Sequence, residues 1–203
     1  MRELKPHMSP DEVLETFKIG NQRFLEGKLQ FRDQLIDVKR TALGQTPHAI
    51  VLGCIDSRKP AEIIFDKGLG DIFNARVAGN FVNTDILGSI EFACKVSGSK
   101  LILIMGHSDC GAVKAAVDDV KLGNITPMLA NLKPAVASVT ESRGKATSED
   151  KSFVAAVAKQ NVLLNMKKVV HDSPIIAEMV ENEEVRIAGC MYDLATGVVD
   201  FYD

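Results

Sequence analysis

Two short stretches of the 203-residue chain hold residues whose types and spacing could do chemistry: CIDSR at 54–58 and HSDCG at 107–111. In the second, His107 and Cys110 follow the apolar run LILIMG, so an imidazole and a thiol stand together where a buried strand should end. The first opens with Cys54, at the end of the apolar run HAIVLG. Two thiolates and an imidazole are donors that zinc prefers, and three protein donors leave the fourth tetrahedral position for water, as in catalytic sites. Spacing alone fits a second reading as well, because free cysteines at strand ends are commonly small buried hydrophobes.

Asp56 and Arg58 tip the balance toward chemistry. Two thiolates neutralise a dication, so the metal acidifies its water less than it would among neutral imidazoles. A fixed acceptor then helps to aim the hydroxide. Asp56 could be that acceptor, with Arg58 holding it off the metal by bidentate pairing. Cys110 also falls where a helix should begin, and the helix dipole there favours a thiolate.

These residues need a scaffold that brings distant segments together. Strands are expected at HAIVLGC, DIFNARV and KLILIMGH, and VRIAGCMYD with GVVDFYD predicts a hairpin around residues 195–197. Helices are expected between them. SPDEVLETFKIGNQRFLEG has Ser9 as cap, Pro10 in the first turn, Glu12 completing a capping box, and Gly27 as stop. PAEIIFDKGLG, NTDILGSIEFACKVSG opened by Asn83 or Thr84, CGAVKAAVDDVKLG, much of 126–142, and EDKSFVAAVAKQNVLLNMKKVVHD follow. The pattern implies an α/β fold: a mostly parallel central sheet flanked by helices, with an N-terminal helical extension and an antiparallel edge strand. In such a sheet the ends of the Cys54 and His107 strands share one edge, where ligands bind. A single domain over 1–203 is expected, with 1–45 as a helical arm and 46–203 as the core.

Composition narrows the partners. With 46% hydrophobic residues, 25% charged and a net charge of -3, nothing biases the surface toward nucleic acid or anionic membrane. No secretory signal is legible near the start and the apolar runs are too short to span a bilayer, so a soluble, cytoplasmic protein is expected. Scattered cysteines argue against a disulfide framework, and Cys94 and Cys190 read as buried small side chains. Met166, Met179 and Met191 read as core filler. His7, His48 and His171 stand apart from other ligand types, and Asp109 reads as a loop or helix-start residue. Gly53, Gly79, Gly106 and Gly111 are expected to give room at the site.

CIDSR followed by HSDCG, with AEIIFDKGLGDIFNARVAGN between them, resembles a β-class carbonic anhydrase, from NQRF at 21–24 through YDLATGVVDFYD. The resemblance implies zinc on Cys54, His107 and Cys110, with Asp56 and Arg58 as the catalytic dyad. It implies that a zinc hydroxide attacks carbon dioxide to give bicarbonate, proton loss to buffer regenerating it. Gln45 matches a glutamine that in many members reaches substrate across a dimer interface. Phe73, Ala78 and Phe92 fall where the family lines its substrate pocket, commonly with valine and tyrosine at the last two, and Gly111 borders substrate. Val51 stands where one subgroup carries the tryptophan of an inhibitory bicarbonate site, so the open form is expected. A homodimer or homotetramer is implied, and the apolar helix near 149–171 agrees with association. Two alternatives remain: hydrolysis of carbon disulfide or carbonyl sulfide on the same scaffold, and a non-catalytic zinc-stabilised module in which Asp56 or Cys94 closes the coordination sphere. A redox thiol protein is not favoured, since no CxxC pair is present.

Overall fold

In the computed structural model, which describes residues 8–202, the first helix α1 (Pro10–Leu25) starts at the predicted capping box. The Ser9 hydroxyl accepts from Glu12 N, and the Glu12 carboxylate accepts from Ser9 N. His7 lies outside the described residues. The polar stretch after α1 holds a helix the hydropathy pattern hides, α2 (Gln34–Thr41). Asp33 caps it by accepting from Leu35 N and Ile36 N, and it has no buried residue. At eight residues it is too short for its apolar spacing to stand out within a polar stretch.

β1 (Ala49–Gly53) leads through α3 (Ala61–Ile64) to β2 (Ile72–Arg76). α4 (Thr84–Glu91), capped by Asn83, runs into one π-helical turn (Phe92–Val96) before β3 (Leu101–His107). α5 (Gly111–Val117) is shorter than expected, because Asp119 turns left-handed at φ 54° just beyond it. α6 (Ile125–Ala130), α7 (Lys133–Arg143) and α8 (Lys151–Asp172) follow. A second helix that hydropathy reading misses, α9 (Pro174–Glu181), starts one residue after α8, where Ser173 accepts from Ile176 N. β4 (Arg186–Tyr192) and β5 (Val199–Tyr202) form the terminal hairpin.

The sheet order is β2-β1-β3-β4-β5, parallel except for β5, as the alternation of elements predicts. Side chains alternate between two cores. Val51, Leu103, Met105 and Cys190 pack with α1 and α3, while Ile50, Leu52, Ile102 and Ile104 pack with α4, α8 and α9. Cys94 and Cys190 are buried and free, and burial pushes both thiols up to about 12. Met179 is buried, with Met166 and Met191 packed beside it.

α8 lies close over β3 and β4 because glycines let it. A Cβ at Gly106 would stand 2.8 Å from Val162 Cγ2, and one at Gly189 would stand 2.7 Å from Val162 Cγ1. Gly106 therefore serves helix packing rather than the metal cluster. On the opposite core Asp66 has no exposed side-chain surface and takes ion pairs from Arg23 and Arg32, which ties the segment before α2 to the end of α3. Among the described residues no helix is long and apolar enough to cross a membrane.

Candidate metal centre

β1 ends at Gly53 and β3 at His107, and Gly53 is the register partner of Met105, so Cys54 and His107 emerge side by side at one sheet edge. The turn Ser108–Asp109 then brings Cys110 back as the cap residue of α5. Asp109 makes that turn with φ 56° and pairs with Lys114, a loop role as the sequence predicts. The Cys54 and Cys110 sulfurs are 4.0 Å apart. Possible donor atoms of Cys54, His107 and Cys110 lie within 4.8 Å of one another, and all three residues are buried.

The donors fit zinc. Two sulfurs bound tetrahedrally at about 2.3 Å would stand about 3.8 Å apart, close to the 4.0 Å observed. His107 Nδ1 lies 2.9 Å from the Ser108 carbonyl, which only accepts, so Nδ1 carries the proton. That leaves Nε2 with its lone pair, buried and without a hydrogen-bond partner. An orphaned imidazole nitrogen beside two buried sulfurs is a metal-binding arrangement, with the backbone carbonyl fixing the tautomer.

The thiols are electrostatically unequal without an ion. The hydrogen bond from Cys110 favours the Cys54 thiolate, against burial, with help from the Gly79 amide at 3.4 Å. Cys110 is pushed up by donating to Cys54 and then by burial. The pair thus holds one proton readily shed and one held tightly, which a dication would displace.

Asp56 and Arg58 meet as the sequence predicts. Arg58 Nε donates to Asp56 Oδ1 at 2.9 Å and Nη2 to Oδ2 at 2.7 Å, and Arg58 N adds a bond to Oδ1 at 3.0 Å. The guanidinium holds the Asp56 carboxyl well below the usual carboxylate range. Residues beyond the motif steady this loop. Arg76 on β2 donates to Cys54 O at 2.9 Å and to Asp56 O at 2.6 Å. Asn161 of α8 donates to Gly79 O at 2.9 Å, and Asn165 accepts from Val82 N at 2.7 Å, pinning the loop whose Gly79 amide faces Cys54. The two asparagines sit among apolar positions of α8, four apart, which is the only sign of this role in the sequence.

The chain has a β-carbonic anhydrase sheet and donor set, and the carbonic anhydrase family model matches residues 49–199. The chain belongs to the β-carbonic anhydrase family. The family hydrates carbon dioxide and uses zinc. Carbonic anhydrase 2 of Mycobacterium tuberculosis is 36% identical over 198 residues, covering 95% of this chain and 92% of that protein. A tetrameric β-carbonic anhydrase from Sordaria macrospora shares the fold with a TM-score of 0.72 at 26% identity, covering 93% of this chain and 96% of that one. The β-carbonic anhydrase CafA of Aspergillus fumigatus superposes with a TM-score of 0.76 at 23% identity, covering 95% of this chain and 89% of that one.

Of the remaining family positions, Ala78 and Gly111 adjoin the metal cluster, beside Gly79 and Cys110, while Phe73, Phe92 and Gln45 stand in other surroundings. Phe73 and Phe92 meet edge to face, 6.4 Å between centroids, in an open groove along β2, the free edge of the sheet. That groove's lining does not include Ala78, Cys54 or His107. Ala78 lies in the loop after β2, next to Gly79. Gln45 is exposed just before β1, its Cβ 3.8 Å from where a Gly70 Cβ would stand. Gly111, at the first position of α5, borders open space, with no atom within 4 Å of a built Cβ. Gly53 and Gly79 do permit close approach: their Cβ atoms would meet Lys59 Nζ at 2.5 Å and Leu132 Cδ1 at 2.8 Å. Cys94 packs with α4 and the second core, away from the Cys54 and Cys110 cluster. His48 and His171 are outside the metal cluster, and His171 pairs with Asp172.

Proposed function

We propose that this chain reversibly hydrates carbon dioxide to bicarbonate and a proton, with zinc held by Cys54, His107 and Cys110. The observation that carries the reading is the three-donor cluster beside a carboxylate whose two oxygens are both engaged by Arg58. Structural zinc sites use four protein donors, whereas three leave room for a reacting ligand. When bound, the metal acidifies water enough for a hydroxide nucleophile to exist near neutral pH. Asp56, kept ionised and turned toward Arg58, serves as the acceptor that orients that nucleophile. The Ser108 carbonyl holds His107 in the ligating tautomer. Phe73, Ala78, Phe92 and Gly111 are proposed to line the approach of carbon dioxide, and Gln45 to reach substrate in a neighbouring subunit.

Association into a dimer or tetramer is part of this proposal. α2 turns Asp37 and Thr41 toward Gly68 and Gly70 but leaves its apolar residues outside, with Leu35 at 73%, Ile36 at 61% and, just after it, Leu43 at 101% accessible. The Sordaria relative is tetrameric. We further propose that residues 1–203 act as one unit with 1–45 as an arm, and that it works in the cytoplasm, which its four free cysteines favour.

The test is stopped-flow hydration of carbon dioxide by the zinc-loaded protein beside a Cys54→Ser variant. Rapid hydration by the parent, lost in the variant together with most bound zinc, supports the assignment. Equal rates for the two would refute it.

A further inference from the structure

The loop that turns Asp56 and Arg58 outward turns the next side chain inward. Lys59 is only 2% exposed, and its Nζ donates to Met105 O at 3.2 Å. The ammonium also lies against Gly53, where a Cβ would come within 2.5 Å of it. Gly53, Met105 and Cys190 are register partners across β1, β3 and β4. Lys59 therefore places a positive charge at the ends of the three strands, one residue from Cys54 and two from His107 along their strands.

A buried ammonium is costly unless an anion compensates it. Its hydrogen-bond partner is a neutral carbonyl, and among the described residues no carboxylate pairs with it. Burial pulls its pKa down to about 8, which still leaves it mostly charged at pH 7. The acidic groups whose fields reach it are the thiols of Cys190, Cys54 and Cys110, while Arg76 opposes it. Cys190 is pushed up to about 12 and stays neutral, so the ammonium is left without a fixed counter-anion on the side away from the metal cluster.

We propose that Lys59 is a buried cation set beside the Cys54, His107 and Cys110 centre, a positioning residue whose charge favours an anion over a neutral ligand there. The inference rests on the reading of that centre as an open zinc site. Two thiolates and a neutral imidazole cancel a dication, so an entering anion makes the centre negative by one charge. Arg58 and Arg76 are also near, but Arg58 is 57% exposed, where water screens its charge, and Arg76 is an exposed residue too. Lys59 is shielded from water. In a medium of effective dielectric about 20, a unit charge within about 12 Å changes anion affinity by about tenfold or more.

The experiment uses the full chain loaded with cobalt, titrated with thiocyanate as anionic probe and imidazole as neutral probe and followed by visible absorption. Lys59→Met should weaken thiocyanate about tenfold and leave imidazole unchanged. Lys59→Gln keeps a donor for Met105 O but no charge, and should behave like Lys59→Met. Unchanged thiocyanate affinity in both variants overturns the proposal. So does an equal fall for both probes, or a wild-type response in Lys59→Gln, since either result assigns Lys59 to holding the loop alone. Failure of both variants to take up cobalt also overturns it, because a neutral centre needs no cation to assemble. Wild-type protein that binds cobalt and responds to neither probe refutes instead the open-site reading beneath it.

Discussion

Gly106 and Gly111 flank the same HSDC segment, yet adding one methyl group to each should have opposite consequences. At Gly106 a Cβ would stand 2.5 Å from Met191 Sδ and 2.8 Å from Val162 Cγ2. Ordinary contact begins near 3.5 Å, so α8 or β3 must yield by more than half an ångström at the tighter places. The Met191 thioether can swing aside. Val162 is fully buried and β-branched, which leaves it essentially one helical rotamer, so the helix itself has to shift. Overpacking of this kind costs about 1–3 kcal/mol, which in a chain of this size lowers the melting temperature by about 3–10 °C. At Gly111 nothing lies within 4 Å and φ is not positive, so alanine at this helical position should leave stability within about 0.5 kcal/mol of the parent or raise it. Thermal unfolding of zinc-loaded Gly106→Ala and Gly111→Ala at equal concentration makes the comparison. Equal melting temperatures would refute the claim that glycine at 106 exists to seat α8. The shift should also loosen Asn161 and Asn165, so hydration should fall in Gly106→Ala by more than its zinc content does.

Arg58→Ala removes two of the three hydrogen bonds to Asp56. Hydration should be abolished while metal content stays near the parent level, because the freed carboxylate closes the coordination sphere; X-ray absorption on the zinc reports the added oxygen, and surviving activity refutes the assigned role. Asn161→Ala takes the support from Gly79 O inside a buried network and should cost about 2 kcal/mol of stability, read from urea unfolding. Asp66→Asn keeps a residue that tolerates the left-handed φ of 49° but removes the charge that Arg23 and Arg32 share, and should cost about 3 kcal/mol at pH 7. Burial raises the Asp66 pKa, but Arg32 and Arg23 together outweigh it and leave a net lowering. Its contribution is thus complete above the unfolded value of about 3.9 and fades as pH falls through the lower folded value. The stability gap between parent and Asp66→Asn should therefore hold from pH 7 to 5 and narrow only below pH 4; a gap that narrows between pH 7 and 5 contradicts the pairing.

Much was legible from the sequence because local rules act over a few residues. Ser9 and Glu12 announce the start of α1, and unbroken apolar runs announce β1 and β3, buried on both faces. Strands alternating with helices imply parallel pairing, and parallel pairing places Cys54 and His107 at one edge before any coordinate is known. The Asp56 and Arg58 pairing is two residues long and was legible for the same reason. α2 was not, because eight residues give its apolar spacing too little length to stand out and its start rests on a single Asp33 cap. The end of α5 turned on one left-handed aspartate, a conformation no periodicity reports.

The sequence by itself determined the chemistry available here, two thiols, an imidazole and a carboxylate with its arginine, because residue type sets donor chemistry wherever the chain goes. Tertiary structure alone decided which atoms meet: the 4.0 Å between sulfurs, the unpartnered His107 Nε2, and Lys59 turned into the core rather than to water. Those are consequences of packing, where a side chain's energy depends on neighbours far away in sequence, such as Met105 for Lys59 and Val162 for Gly106.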